Sequence, residues 1–384
     1  MTNSTLLTAL CVVSLTLPAS ANLLAGFDIN GDTGPTQAGY AALNGNLTTD
    51  SGTASGITVA YTLSSAGDFG RNRGGGGTLA ANPREALLQD FVFGSSTVNL
   101  SVNITGLAPN TRYRVRTYNY DRTASNNALG LWFTGNDTTF NSNNNLITGH
   151  RNLQADATNV HQDLFLTSNG SGAIDLITRG ANSTSSLLNG VEVYELQSTI
   201  PLATFDANAD GTVAAGATAL GFSGTTATAT TAGLTLNLTT DRADNLRSRG
   251  ASGDELLDDF AFATDLMTLS LSGLSIGQTY EMTLYAQDLT ANMGDITRWD
   301  IDAGSGSFTA ISTAHYNNQS EGAADLTFLV TPTATTINFS GSGDGASNLV
   351  YFNGLSVSSV VPEPGTLALF LMAGMGLAAF RRRR

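Results

Sequence analysis

Two short acidic segments have residue types and spacing that could hold a divalent cation. Both place oxygen-bearing side chains at alternate positions: Asp28, Asn30 and Asp32 in the first segment, and Asp206, Asn208 and Asp210 in the second. Calcium-binding loops begin with this alternation, but Ala217 stands where such a loop needs its final Glu. A structural Ca²⁺ ion would need backbone carbonyls and a distant carboxylate as further ligands, and the alternative is a polar turn after a strand. The first segment is the weaker candidate, because Gly31 and Gly34 alter the spacing around Asp32.

Two polar trios could recognise the hydroxyl groups of a glycan. They are His150, Asn152 and Gln154, and His315, Asn317 and Gln319. Alternate residues of a strand share one face, where these side chains could hydrogen-bond a sugar, and Trp132 and Trp299 could supply stacking planes. The alternatives are an ordinary solvent-facing strand for the trios and core packing for the tryptophans. One imidazole per trio does not suit a metal site.

No sequence signature of catalysis accompanies these residues. The chain has neither a G-x-S-x-G nor an H-E-x-x-H motif, and its only cysteine is Cys11. A glycosidase would need two carboxylates across a cleft, and the 31 acidic residues leave that alternative open. We therefore expect a binding or structural protein rather than an enzyme, with a secreted polysaccharide-processing enzyme as the alternative.

The charge of the chain excludes one class of partner. The chain has 17 basic residues, all of them arginines, and 31 acidic residues, which give a net charge of −14. Four of the arginines are at the extreme C-terminus. A chain so acidic cannot neutralise phosphates as a general nucleic-acid binder must. We expect no nucleic-acid partner.

The central part of the sequence contains two copies of one repeat unit. Landmarks recur in the same order: Phe27-Asp28 with Phe205-Asp206, Leu87-Leu88 with Leu256-Leu257, Tyr113 with Tyr280, Trp132 with Trp299, and Asn189-Gly190 with Asn353-Gly354. Pro201 and its neighbours interrupt the pattern between the copies. The repeat predicts two tandem domains, residues 22–198 and 199–360.

Each unit has the pattern of antiparallel β-structure. Apolar residues alternate with polar or small ones over residues 57–63, 98–104 and 267–271, as half-buried strands require. Gly-, Ser- and Asn-rich segments such as Ser168–Gly172 and Ser340–Gly345 predict turns between the strands. The fold class that follows is all-β, with two tandem antiparallel β-sandwich, jelly-roll-like domains. The pattern, including the closing Asn-Gly strand, resembles the galactose-binding-like jelly rolls of secreted carbohydrate-active proteins.

The two ends of the chain read as targeting segments. An apolar run from Leu6 to Leu17, followed by Ala19-Ser20-Ala21, predicts a signal peptide over residues 1–21. Its removal takes Cys11 away, which fits an exported protein without disulfides. At the other end, an apolar run from Thr366 to Phe380 would span about 22 Å as a helix, which is short for a membrane anchor.

The tail at residues 361–384 has three parts that together carry a second resemblance. They are Pro362-Glu363-Pro364, the apolar run, and the cluster of Arg381, Arg382, Arg383 and Arg384. This tail resembles the PEP-CTERM sorting signal, and the alternative is an ordinary C-terminal anchor. The resemblance implies processing by an exosortase in a Gram-negative bacterium that makes extracellular polysaccharide. The arginine cluster would hold the C-terminus on the cytoplasmic side of the inner membrane before processing.

Together these features favour an exported protein of the cell envelope or of the extracellular matrix of a biofilm. We expect it to be adhesive or glycan-associated through its tandem sandwiches. A purely structural envelope or matrix component without a ligand is the remaining alternative.

Overall fold

A computed structural model describes most of the chain between residues 22 and 361. The described residues are 22–31, 34–65, 70–75, 82–94, 98–121, 128–135, 146–152, 160–180, 185–209, 211–243, 245–248, 255–288, 296–316, 325–343 and 349–361. Within them the only helix is the single turn α1 (Glu255–Asp258), and the other regular elements are strands. The chain therefore folds as all-β structure, as the sequence predicts.

The first sandwich consists of strands β1 to β14. They are β1 (Leu23–Asn30), β2 (Ala41–Asn44), β3 (Thr49–Ala54), β4 (Ile57–Leu63), β5 (Arg71–Asn72), β6 (Asp90–Gly94), β7 (Leu100–Thr105), β8 (Arg112–Tyr118), β9 (Ala128–Thr134), β10 (Leu146–Asn152), β11 (His161–Thr167), β12 (Ile174–Gly180), β13 (Ser186–Leu188) and β14 (Gly190–Glu195).

The second sandwich consists of strands β15 to β29. They are β15 (Thr199–Asp206), β16 (Thr218–Ala219), β17 (Gly221–Ser223), β18 (Thr226–Thr231), β19 (Leu234–Thr240), β20 (Leu246–Ser248), β21 (Asp259–Ala263), β22 (Leu266–Ser272), β23 (Tyr280–Tyr285), β24 (Ile296–Asp302), β25 (Thr309–Tyr316), β26 (Asp325–Val330), β27 (Thr336–Gly343), β28 (Val350–Phe352) and β29 (Gly354–Val360).

The two sandwiches repeat one strand order. The five-stranded sheet runs β11-β8-β14-β1-β2 in the first and β26-β23-β29-β15-β16 in the second. The larger sheet runs β10-β9-β12-β7-β4-β3 in the first and β25-β24-β27-β22-β19-β18-β17 in the second, so β17 is the only addition. A short three-stranded sheet completes each sandwich, β13-β6-β5 and β20-β21-β28. The domain boundary between residues 198 and 199 stays a prediction.

Each sandwich has a hydrophobic core of its own. Residues Ile57, Val59, Tyr61 and Leu63 of β4 are all buried, which confirms the predicted alternation. The core of the first sandwich draws on residues between Ala25 and Val193, and that of the second on residues between Phe205 and Val357. Each sandwich therefore buries its own set of apolar side chains between its sheets.

The sandwiches meet through equivalent edge strands. Gly149 of β10 pairs with Ala314 of β25, which joins the larger sheets into one sheet of 13 strands. Beside this junction β11 lies against β26, and Arg112 forms an ion pair of 2.9 Å with Glu281 of the second sandwich. The two sandwiches therefore meet through equivalent edge strands of both sheets.

The Asn-Gly landmark of each unit ties several backbone segments together. Asn189 is fully buried, and its side-chain amide donates to the carbonyl oxygens of Asp90 at 2.8 Å and Tyr120 at 3.1 Å. Its Oδ1 atom accepts a hydrogen bond of 2.7 Å from the backbone N–H of Tyr120. In the second sandwich, the amide of Asn353 donates to Asp259 at 2.7 Å in the same way. The repeated asparagine is therefore architectural.

Two further landmarks have the same explanation. A Cβ atom on Gly190 would lie 2.4 Å from Leu87 Cδ1, and one on Gly354 would lie 2.7 Å from Leu256 Cδ1. Such distances are far inside van der Waals contact, so the glycines admit the leucines that recur in both units. The repeated residues account for how the sandwich is built.

One segment predicted as a turn is instead part of a strand. Residues Ser340–Gly343 belong to β27, which pairs with β22 and β24. A Cβ atom on Gly341 would lie 2.8 Å from the ring of Trp299, so this glycine makes room for the tryptophan in the core. Glycine content misled the prediction because it serves packing here, not chain reversal.

Candidate functional site

The outer face of the five-stranded sheet in the first sandwich carries a dense group of polar and aromatic side chains. Along β8, Tyr113, Val115 and Thr117 are buried on the core side, so the alternate residues Arg114 and Arg116 lie on the opposite face. The flanking strands β11 and β14 and two loops add further members. We call this group the outer-face cluster: Tyr40, Arg84, Arg114, Arg116, Tyr118, His161, Asp163, Phe165, Glu192 and Tyr194.

A buried carboxylate lies at the centre of the outer-face cluster. Glu192 has no exposed surface, and it accepts hydrogen bonds from the hydroxyls of Tyr40 and Tyr194. Arg84 donates from Nε to the same carboxylate at 3.0 Å. Burial raises the pKa of Glu192, but the two hydroxyls and the charge of Arg84 outweigh it and lower the pKa below its usual range. The carboxylate is therefore ionised at neutral pH.

A second ion pair occupies the neighbouring strands. Arg116 holds Asp163 in a fork, with Nε at 2.6 Å from one oxygen and Nη2 at 2.9 Å from the other. Arg114 lies 3.6 Å from the same carboxylate, and its guanidinium carbon is 4.0 Å from the centroid of the Tyr194 ring. Burial, with the charge of Arg116 as a second cause, lowers the pKa of His161 to about 4, so this imidazole is neutral.

Two loops complete the cluster. The ring of Tyr40 packs against Gly26 of β1, where a Cβ atom would come within 2.7 Å of it. Asn82 accepts a hydrogen bond of 2.9 Å from the backbone N–H of Arg84 and so fixes the turn that carries this arginine. Arg84 in turn lies 5.4 Å from the centroid of the Tyr40 ring.

The second sandwich has the same sheet without the cluster. The strand register gives these equivalent positions: Arg114 and Glu281, Arg116 and Thr283, Asp163 and Thr327, Glu192 and Ser356, Tyr194 and Ser358. Small hydroxyls bond across the strands instead, with Thr283 at 2.9 Å from Thr327 and Thr204 at 3.0 Å from Ser356. Apart from Glu281, charged and aromatic side chains therefore occur at these positions only in the first sandwich.

The two tryptophans occupy the cores. Trp132 and Trp299 are both 0% exposed and pack within the hydrophobic cores of the first and second sandwich. A ring with no exposed face cannot stack on a sugar. The structure thus corrects their assignment as stacking platforms, because each sandwich uses its tryptophan to fill the space between the sheets.

The members of the polar trios whose backbone is described lie on the two strands that join the sandwiches. The backbone of His150 and Asn152 belongs to β10, and that of His315 belongs to the paired strand β25. Gln154, Asn317 and Gln319 lie outside the described residues. Glycan binding by the trios stays a prediction.

The second acidic segment uses its oxygens within its own loop. Asp206 is fully buried and accepts a hydrogen bond of 2.8 Å from the backbone N–H of Ala214. Asn208 accepts from Gly211 and donates to Thr212, each at 2.6 Å, and so closes the turn. Asp210 lies outside the described residues.

The structure describes Asp28 and Asn30 of the first acidic segment. Asp28 accepts a hydrogen bond of 2.5 Å from the backbone N–H of Gln37 through one oxygen, while its buried Oδ1 has no hydrogen-bond partner among the described residues. The buried Oδ1 of Asn30 also has none. Asp32 lies outside the described residues, within which no group of three or more acidic, His or Cys side chains is arranged to hold a metal. A Ca²⁺ ion held by Asp28 and Asn30 stays a prediction.

The sorting tail continues the last strand. β29 ends at Val360, and the N–H of Val361 donates to the carbonyl of Ser198 at 2.8 Å. The signal residues Pro362, Glu363 and Pro364 and the terminal arginines lie outside the described residues. In the described part of the chain, no helix has the length and apolar character that crossing a membrane requires.

Sequence reasoning missed the outer-face cluster, although one signal pointed to it. The segment of β8 reads Arg-Tyr-Arg-Val-Arg-Thr-Tyr, with arginines at every second position. That period puts three cations in a row on one face of a strand, in a chain that is otherwise acidic. This row of arginines occurs in the first unit only, so it is not among the landmarks that the two units share.

Comparisons with known proteins bear on the fold and on the tail. No curated protein gives a significant match to the chain. A similar solved structure is the N-terminal CBM22-1–CBM22-2 tandem domain of Xyn10C from Paenibacillus barcinonensis, with 10% identity, coverage of 89% of this chain and 98% of that one, and a TM-score of 0.25. TmCBM61 in complex with β-1,4-galactotriose has 8% identity, covers 32% of this chain and 86% of that one, and has a TM-score of 0.23. A fucolectin from striped bass (Morone saxatilis) serum has 10% identity, covers 79% and 96%, and has a TM-score of 0.22.

The tail has a specific match. Residues 360–384 match the PEP-CTERM protein-sorting motif, which confirms the resemblance seen in the sequence. The match begins at Val360, the last residue of β29, so the sorting signal starts where the second sandwich ends. The motif implies an exported protein.

Proposed function

We propose that this exported protein is processed by an exosortase, resides in the cell envelope or extracellular matrix, and binds a glycan on the outer-face cluster of its first sandwich. Before processing, the tail would anchor its C-terminus in the inner membrane. An adhesive role in a polysaccharide matrix follows from that location and that ligand.

The contrast between the two sandwiches carries the proposal. Removing the Glu192 carboxylate from water is costly, and the first sandwich offsets that cost by bringing two tyrosine hydroxyls and Arg84 to it. The second sandwich builds the same sheet with Ser356 at the position of Glu192 and with Ser358 at that of Tyr194. The fold therefore does not need the cluster, and a polar network that the fold does not need points to a ligand.

The residues of the cluster match what a sugar offers. Hydroxyl groups can donate to the Asp163 carboxylate and accept from the arginines beside it, since Arg114, Arg116 and Asp163 keep between 14% and 21% of their side-chain surface exposed. The ring of Phe165 lies on the same face, opposite Arg114 across the strand register, and could pack against the apolar face of a sugar ring. The first sandwich thus combines donors, acceptors and aromatic surface in one place.

A glycan array followed by affinity electrophoresis in polysaccharide gels tests the proposal. Tyr194→Ala should weaken binding of the purified protein about tenfold or more, because it removes a bond to Glu192 and the ring beneath Arg114. Ser358→Ala, at the equivalent position of the second sandwich, is the matched control and should leave binding unchanged. Equal effects of the two substitutions, or no glycan binding by the wild type, would contradict the proposal.

A further inference from the structure

We infer that the ligand of the outer-face cluster is an acidic polysaccharide, whose sugar carboxylate is bound by Arg114. This inference rests on the proposed function and adds the chemical class of the ligand. It follows from how the arginines on β8 are used.

Two of the three arginines of β8 are already committed to protein carboxylates. Arg112 donates to Glu281 of the second sandwich at 2.9 Å. Arg116 binds both oxygens of Asp163 in a fork, at 2.6 Å and 2.9 Å. These two guanidinium groups therefore have their counter-charges within the chain.

Arg114, between them, has no hydrogen-bonded carboxylate among the described residues. Its nearest carboxylate oxygen is Asp163 Oδ2 at 3.6 Å, beyond hydrogen-bond distance, and that carboxylate is already held by Arg116. The Nε atom of Arg114 is buried and makes no hydrogen bond in the described part of the chain. One flank of the guanidinium is covered by the ring of Tyr194, at 4.0 Å. A largely buried guanidinium whose neighbouring carboxylate is hydrogen-bonded by another arginine is the natural complement of a carboxylate from outside.

The local charge agrees with this assignment. In the outer-face cluster three arginines accompany two carboxylates, with His161 neutral, which leaves one positive charge in excess. The whole chain carries −14, so an acidic polymer would be repelled except where such an excess lies. Attraction must therefore be short-ranged and must depend on one guanidinium rather than on a basic surface.

One pair of polymers tests the inference directly. Polygalacturonate and its methyl ester have the same backbone, but the ester has lost its carboxylate charge. In affinity electrophoresis or titration calorimetry, the wild-type protein should bind polygalacturonate about tenfold or more tightly than the ester. The preference should shrink with added salt, because a partly exposed charge pair is screened.

Variants at Arg114 separate the charge from the fold. Arg114→Gln should abolish the preference for the acid, and Arg114→Lys should keep part of it, since lysine retains the charge but not the planar fork. Arg298→Gln is the matched control: it removes an exposed arginine of the second sandwich that is bonded to Asp300, and it should leave the preference intact. In the Trp299→Phe background, an unchanged emission spectrum of the buried Trp132 would show that the first sandwich is folded in each variant.

The outcomes distinguish this inference from the proposed function. Binding to neutral glycans without any preference for polygalacturonate overturns the inference and leaves the proposed function in place. Equal binding to dextran sulfate and polygalacturonate, insensitive to Arg114→Gln, also overturns it, because the attraction would then be non-specific. Absence of binding to any glycan overturns both.

Discussion

Replacement of Asn189 by alanine tests whether the repeated landmarks build the sandwich. In the structure this side chain satisfies the carbonyls of Asp90 and Tyr120 and the N–H of Tyr120, at 2.7 to 3.1 Å. Asn189→Ala would leave three buried backbone groups without partners. At about 1 to 3 kcal/mol for each, less where water enters the space, we expect a loss of about 3 to 5 kcal/mol in unfolding free energy.

Urea unfolding followed by tryptophan fluorescence measures this loss. Each sandwich buries one tryptophan, so the Trp299→Phe background reports on the first sandwich through Trp132. With an m value of about 2 kcal/mol/M, the midpoint should fall by about 1.5 to 2.5 M urea. A signal from one sandwich avoids treating a chain with two cores as a single two-state unit.

The second sandwich supplies the reciprocal experiment. Asn353→Ala removes bonds to Asp259 at 2.7 Å and to Gln287 at 2.6 Å, and it should destabilise the second sandwich by a similar amount. Each substitution should leave the midpoint of the other sandwich within about 0.5 M. A loss below about 1 kcal/mol at both positions would refute the architectural role that we assign to these asparagines.

Four further predictions concern pH, the cation, the tail and the domains. Burial raises the pKa of Asp28 to about 6 in the folded state, so the folded protein binds a proton there more tightly than the unfolded chain does. The free energy of unfolding should therefore decline by about 3 kcal/mol as pH rises from about 4 to 6. Asp28→Asn should remove this decline in urea titrations. Ca²⁺ at 100 times its dissociation constant should stabilise the sandwich that binds it by about 2.7 kcal/mol in thermal melts, an effect that Asp28→Asn or Asp210→Ala should abolish according to which segment holds the ion. Glu363→Ala should leave uncleaved precursor in the membrane fraction on immunoblots, and equal processing would count against the exosortase. Fragments 22–198 and 199–360 should each show β-structure and a cooperative melt by circular dichroism, since each contains one complete core.

The fold could be predicted from the sequence because its determinants are local and repeated. The alternation from Ile57 to Leu63 is a property of neighbouring residues, and it gives a strand with those bounds. The pairing of β10 with β25 could not be predicted, because nothing in the sequence of one edge strand specifies which other edge it meets. The prediction of a turn is wrong at Ser340–Gly343 for a related reason. Gly341 is required by the ring of Trp299, which lies on another strand.

The candidate site was harder to predict than the fold. Residues that recur in both units, such as Asn189 or Trp132, tie backbone segments together or fill the core of the sandwich. Glu192 gives no signal in the sequence, since its burial depends on Tyr40 and Arg84, which come from distant loops. Only the arginines of β8 could have been recognised, from their period of two.

The position of the tail agrees with a proposed function in which only the first sandwich has a ligand face. The sorting motif begins at Val360, so any attachment through the tail is made next to the second sandwich. The outer-face cluster lies on the other sandwich. The contact of Arg112 with Glu281 and the pairing of β10 with β25 link the two sandwiches. Glu281 occupies the position equivalent to Arg114. The second sandwich therefore has an anion where the first has a cation, and this anion pairs with Arg112 of the first sandwich. Under the proposed function, the first sandwich binds the ligand and the second lies next to the point of attachment.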